Sequence, residues 1–273
     1  MRLAWASDVH LNFLHNGSDI YTYIDSIRAQ ADALVITGDI DESTRICETL
    51  GFFDTLFDKP VYFVLGNHDF YYGSIKDVRR MVSRFAYSSR NLHYLSNTPT
   101  IELSKTTALL GHDGWADGRL GDLEGSDVIL NDFSLIEELN CWKRDSWQFK
   151  LDKVKLRLAL EKFGDEAAKY LALVLYPAVN KYKHVIVATH IPPFREAAWH
   201  EGKPSDDNFL PYFACKAIGD VLLAVALENP KCQITVLCGH THSGGEVDIT
   251  PNLKVITAPS QYGKPLVHHI FTI

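Results

Sequence analysis

The stretch VYFVLGNHD, residues 61–69, decides the fold. Five apolar residues in a row, several β-branched or aromatic, read as a strand buried on both faces. The glycine that follows lets the chain turn sharply, and Asn67, His68 and Asp69 then bring groups that bind metal ions or move protons. The same design occurs four more times, in LAWAS (3–7), ALVIT (33–37), VIVAT (185–189) and ITVLC (234–238). These runs lead into Asp8 and His10, Asp39, His190, and His240 and His242.

Between the first three runs the spacing is helical: Ile20, Ile24 and Ile27 follow Ser18, and Ile46, Leu50 and Phe53 follow Ser43, with the serines as expected N-caps. The chain therefore opens β-α-β-α-β, which predicts an α/β fold. Right-handed crossovers align the strand ends on one edge, and ligands collect at the carboxyl ends of such strands. A further helix is expected from 74 to about 90, then shorter strands in LHYL, TIEL and TALLG. From Gly111 the character changes to a glycine-rich acidic loop, GHDGWADGRLGDLEGSD, followed by a helical pattern over 151–176 that Gly164 interrupts and Pro177 ends. A helix at 214–227 and three weaker strands, GEVDI, LKVIT and HHIFT, complete the chain. We read residues 1–273 as a single domain carrying an insertion at about 112–183.

The 273 residues are 46% hydrophobic, with 27 Lys and Arg against 34 Asp and Glu, a net charge of −7. That composition is globular, and its acidity does not favour nucleic acid as a partner. Five cysteines without a C-x-x-C pair fit a reducing, cytoplasmic setting. The N-terminus reaches Asp8 too soon for a signal peptide, and no apolar run approaches a membrane span. Oligomeric state leaves no mark in the sequence.

Asp8 and His10 share one side of an extended chain, as do His240 and His242. Hard oxygens mixed with imidazoles suit Mn, Fe or Zn. Seven such ligands exceed one tetrahedral ion and fit two ions bridged by a shared carboxylate.

DVH, GDI, GNHD, TH and GHTH, in this order over residues 8–242, resemble the five blocks of the calcineurin-like metallophosphoesterase superfamily. The resemblance implies an αββα sandwich of two mixed sheets flanked by helices, here with a loop-plus-helix insertion. It assigns Asp8, His10 and His242 to one metal, Asn67, His190 and His240 to the other, and Asp39 to both. It also implies hydrolysis of a phosphodiester or phosphomonoester by a metal-bridging hydroxide, with His68 as general acid and Asp69 orienting its ring. The expected substrate is a small-molecule phosphoester, a nucleotide being one candidate because Phe70, Tyr71 and Tyr72 stand beside the third block. The alternative is a non-catalytic metal-binding scaffold for a protein partner, which the unbroken ligand set disfavours.

The second block, GDIDESTR, departs from the protein Ser/Thr phosphatase pattern G-D-x-V-D-R-G: Glu42 replaces the supporting acid and Ser43 the phosphate-gripping arginine. Arg45 lies two residues on. His112 and Asp113 follow TALLG and are candidates for the site wall, whereas His200 is assigned to loop solvation. His15, His93, His184, His268 and His269 are read as surface or core residues. From Asp113 the acidic loop resembles an EF-hand, but Trp115 stands at its third position, so calcium is not favoured. Lys153, Lys155 and Arg157 mark a lid, a dimer contact or a satellite layer.

Overall fold

The computed structural model describes residues 1–14, 16–145 and 148–273; His15 lies outside them. The strands are β1 (Arg2–Ala6), β2 (Ala33–Thr37), β3 (Val61–Val64), β4 (Leu92–Tyr94), β5 (Ile101–Glu102), β6 (Thr107–Gly111), β7 (Trp142–Asp145), β8 (Gln148–Leu151), β9 (His184–Ala188), β10 (Trp199–His200), β11 (Lys203–Pro204), β12 (Gln233–Cys238), β13 (Gly245–Thr250), β14 (Leu253–Thr257) and β15 (His269–Thr272). The α-helices are α1 (Gly17–Gln30), α2 (Ile46–Phe52), α3 (Ile75–Ser88), α4 (Asp132–Leu135), α5 (Lys153–Lys181), α6 (Leu210–Phe213) and α7 (Lys216–Glu228).

Two mixed sheets form the centre, in the orders β15-β1-β2-β3-β4 and β13-β14-β12-β9-β6-β5. β1 to β4 run parallel and β15 joins antiparallel. In the second sheet β6, β9, β12 and β14 are parallel, with β13 and β5 as antiparallel edges. The sheets pack face to face through Leu3, Trp5, Val35 and Val64 on one side and Leu109, Ile186, Ala188 and Leu237 on the other. Trp5 keeps its indole N–H satisfied there by donating to Thr37 Oγ1 at 3.0 Å. The outer face of the first sheet is covered by α1, α2 and α3 through Ile24, Leu50 and Val82, and that of the second by α5 and α7 through Leu171 and Leu222. This is the αββα sandwich the five motifs imply, and burial of the central strands on both faces explains their continuous apolar runs.

Several local expectations change. Asn16, not Ser18, precedes α1, and α2 starts at Ile46 because the Ser43 hydroxyl donates to the Tyr71 carbonyl at 2.6 Å instead of capping a helix. α5 runs unbroken through both Gly164 and Pro177. Proline removes one helical donor; the carbonyl so released belongs to Leu173, which is 73% exposed, and solvent can satisfy it. Gly164 is retained for contact: a Cβ there would meet the Cβ of Asp117 at 2.5 Å and Cys215 Sγ at 3.3 Å. α5 also connects the neighbouring parallel strands β6 and β9, so the inserted stretch is integrated into the outer layer.

Candidate functional site

The loops after β1, β2, β3, β9 and β12 meet at one end of the sandwich. Backbone bonds extend the strand pairing into them: Asp8 and His10 donate to Gly38 and Asp39 at 3.0 and 2.9 Å, and Gly239 donates to His190 at 2.9 Å. Crowding is severe enough that a Cβ on Gly66 would lie 2.2 Å from Asp39 Oδ1, which accounts for glycine before Asn67. Asp8, His10, Asp39, His240 and His242 all adopt positive φ, between 42° and 72°. Left-handed backbone at non-glycine residues costs roughly 1–3 kcal/mol each and persists where the surroundings enforce it. No signal in a single sequence marks it.

Asp8, His10, Asp39 and His242 offer ligand atoms within 4.8 Å of one another, a cluster able to hold a metal ion. The Nε2 atoms of His10 and His242 face each other at 3.1 Å; His242 Nε2 lies 3.5 Å from Asp8 Oδ1 and His10 Nε2 lies 3.6 Å from Asp39 Oδ2. Two imidazole nitrogens and two carboxylates converging in a buried place lack the protons to satisfy one another, and a cation meets that need. Burial pushes His10 down to about 2, beyond what Asp8 restores. Burial alone would raise Asp8, yet the His242 hydrogen bond and the fields of His190, His242 and His10 hold it far below the carboxylate range. Burial and the nearby Asp8 instead raise Asp39 well above it. The two carboxylates differ because they share one unneutralised space.

Asn67, His190 and His240 form a second group. Asn67 Oδ1 lies 3.0 Å from His190 Nε2 and 2.9 Å from His240 Nδ1. The opposite ring nitrogens sit 2.9 Å from the carbonyls of Thr37 and Tyr212, where only an N–H fits. The nitrogens turned toward Asn67 are therefore the unprotonated ones, as metal ligation requires. Asp39 Oδ1 is 3.5 Å from His190 Nε2, which connects the groups.

His68 donates its backbone N–H to Asp39 Oδ1 at 2.9 Å, and its ring lines the mouth between His10 and Tyr71, centroids 4.6 and 4.3 Å away. Burial, then His190 and His242, push its pKa down to about 3. Asp69 does not orient the ring: its carboxylate accepts the backbone N–H of Ile40, Asp41 and Gly66 at 2.8 to 2.9 Å, tying two loops together. His68 Nε2 lies 3.5 Å from the Tyr262 hydroxyl.

The cleft above holds about 260 Å³ and is lined by Asp39, Asn67, His68, Tyr71, Leu130, Asn131, Asp132, His200, Phe213, His240, Thr241, His242 and Tyr262. His200, assigned to solvation, thus faces the cleft, while Phe70 packs in the core and Tyr72 is exposed. Asp132 and Tyr262 carry no local sequence signal, since only tertiary packing brings them here. His112 is buried, and Asp113 accepts from Arg79, Tyr94, Ser96 and Leu65. With Asp117 engaged by Arg119 and Glu124 by Arg157, the oxygens of the calcium-like pattern are already partnered. Lys153 donates to the Glu124 and Ser126 carbonyls and so stitches α5 to the same loop. Arg45 points outward to Glu48.

The family model described as calcineurin-like phosphoesterase matches residues 1–244. Among solved structures, a dimetal phosphatase from Danio rerio is similar at 16% identity with a TM-score of 0.56, covering 94% of this chain and 86% of that one. The phosphopantetheinyl hydrolase of Mycobacterium tuberculosis is similar at 12% identity with a TM-score of 0.57, covering 96% and 89%. At such identities the likeness speaks for the fold. No curated protein matches the sequence. Five strand-end loops converging on a metal-binding cluster, in a sandwich of this topology and with that match along most of its length, make the chain a member of the calcineurin-like phosphoesterase family of metal-dependent hydrolases.

Proposed function

We propose that the protein is a dinuclear metal-dependent phosphoesterase acting on a small-molecule phosphoester. Asp8, His10 and His242 hold one ion, Asn67, His190 and His240 the other, and Asp39 both. The observation that carries this reading is the geometry of His190 and His240, each of which turns one ring nitrogen to Asn67 Oδ1, at 3.0 and 2.9 Å, and the other to a backbone carbonyl at 2.9 Å. Mixed oxygen and imidazole donors suit Mn, Fe or Zn. Two bound ions supply positive charge to phosphoryl oxygens and acidify a water for attack on phosphorus.

The chain's own residues do the rest. His68, at the cleft mouth, gives its proton to the leaving oxygen. In the metal-free cleft burial pushes its pKa down to about 3, and the negative charge of a phosphoester brought beside it acts in the opposite direction. Tyr71 and Phe213 wall the cleft and exclude water. No Lys or Arg lines it among the described residues, which favours a monoanionic phosphodiester over a dianionic monoester; the aromatic walls keep a nucleotide among the candidates. We take residues 1–273 as one catalytic unit with the insertion at 112–183. Its five free thiols support a reducing, cytoplasmic compartment, and no helix among the described residues is long and apolar enough to cross a membrane.

The test is hydrolysis of bis-p-nitrophenyl phosphate and p-nitrophenyl phosphate by chelator-stripped protein reloaded with Mn, Fe or Zn. Metal-dependent release, greater for the diester and abolished in Asp39→Ala, is the expected result. Silence with every metal, or full activity in Asp39→Ala, overturns the reading.

A further inference from the structure

Asn67 presents its oxygen to His190 and His240 only if its amide group is held from the other side. Its Nδ2 donates to Asp132 Oδ1 at 3.0 Å, and the Tyr71 hydroxyl donates to the same oxygen at 2.8 Å. Asp132 and Tyr71 are each 5% exposed, and Asn67 7%. An amide has two nearly isosteric ends, and a carboxylate oxygen accepts from one end only, so Asp132 fixes which end faces the ring nitrogens.

Asp132 belongs to the inserted stretch, at the first position of α4, and that helix is clamped onto the chain following Asn67. Tyr72 N–H donates to the Leu135 carbonyl at 2.8 Å and Glu137 N–H to the Gly73 carbonyl at 3.1 Å. The Glu138 carboxylate accepts the N–H groups of Ile75 and Lys76 at the start of α3, at 2.8 and 3.1 Å. The next residue, Phe133, packs edge-on against Tyr212 with centroids 5.3 Å apart, and the Tyr212 carbonyl is the acceptor that fixes the His240 ring. One turn of the insertion thus abuts the supports of both Asn67 and His240.

We propose that Asp132 is a positioning residue for the second metal: by fixing the Asn67 amide it sets the affinity of the Asn67–His190–His240 half of the centre and leaves the Asp8–His10–His242 half unaffected. The inference rests on the dinuclear reading above. Groups that orient metal ligands typically govern 10–100-fold in metal affinity.

The experiment is titration of chelator-stripped full-length protein with manganese(II), followed by calorimetry for two affinities and by electron paramagnetic resonance for the exchange-coupled pair. Asp132→Ala is expected to weaken the second binding step about 10–100-fold, leave the first unchanged and remove the coupled signal. Asp132→Asn, whose amide oxygen still accepts from Asn67, is expected to restore most of the loss. Two wild-type steps in Asp132→Ala overturn the proposal, as does equal loss of both steps, which makes Asp132 a general structural residue. Failure of Asp132→Asn to improve on Asp132→Ala also counts against it. Wild-type protein that binds one ion only refutes the dinuclear reading instead, so the two failures are distinguishable.

Discussion

Arg79 Nε donates to Asp113 Oδ2 at 2.9 Å, in an ion pair that joins α3 on one side of the sandwich to the end of β6 on the other. Burial alone would raise the Asp113 carboxyl, but Arg79 above all, with His112, Tyr94 and the Leu65 N–H, holds it below its usual value. A depressed carboxylate contributes stability that is complete above its unfolded pKa, near 4, and is lost as pH falls through the lower folded value. Asp113→Asn leaves Arg79 with Glu166 as its remaining ionic partner and should cost about 1–3 kcal/mol at pH 7, with a flatter acid dependence than the wild type below pH 4. Urea unfolding at pH 7 and in the acid range checks both; a loss under about 0.5 kcal/mol at pH 7 refutes this.

Gly164→Ala tests close packing against helix propensity. In a free helix this change stabilises by roughly 1 kcal/mol. Here the added Cβ meets Asp117 at 2.5 Å, so the opposite sign is expected, a loss of about 1–3 kcal/mol. A raised melting temperature would show that the contact relaxes freely.

His68→Ala should bind both ions with wild-type affinity and lose about 10²–10⁴-fold in kcat. If His68 gives a proton, the wild-type kcat falls as pH rises through its value in the complex, and the variant lacks that descending limb. Rate profiles with metal content measured alongside decide the matter; identical profiles remove His68 from the chemistry.

Asp39→Asn should stabilise the metal-free protein by about 0.5–2 kcal/mol, because a buried carboxylate facing Asp8 is exchanged for a neutral group that still accepts the His68 N–H. The wild type should gain stability on metal addition, about 2.7 kcal/mol at a hundredfold excess over Kd, and the variant little. Thermal melts with and without manganese separate the two effects. A variant that melts lower when metal-free contradicts the repulsion argument.

The central strands are legible because burial on both faces writes an unbroken apolar run: β2 spans the same residues as ALVIT, and β1, β3, β9 and β12 agree to within a residue. The metal-binding loops are legible because their chemistry demands particular side chains in a fixed order. The helix ends were less so. Ser43 looks like a cap until Tyr71 claims its hydroxyl, and Pro177 looks like a terminator until its freed carbonyl falls on an exposed face. Asp132 lies 65 residues from Asn67 and Tyr262 194 from His68, and both reach the cleft by a relation carried by packing and by nothing local. The acidic loop has a calcium-like spacing, but Arg79 and Arg157 arrive from elsewhere, and Arg119 from within the loop, to claim its oxygens.

The placement of α5 bears on how the molecule comes apart. Arg79 holds Glu166 of α5 at 3.1 Å as well as Asp113, and α5 itself joins adjacent strands of the second sheet. These ties couple the inserted stretch to the rest of the sandwich. Heating should give one calorimetric transition whose van't Hoff and calorimetric enthalpies agree, and a protease should find no early fragment ending near residue 112 or 183.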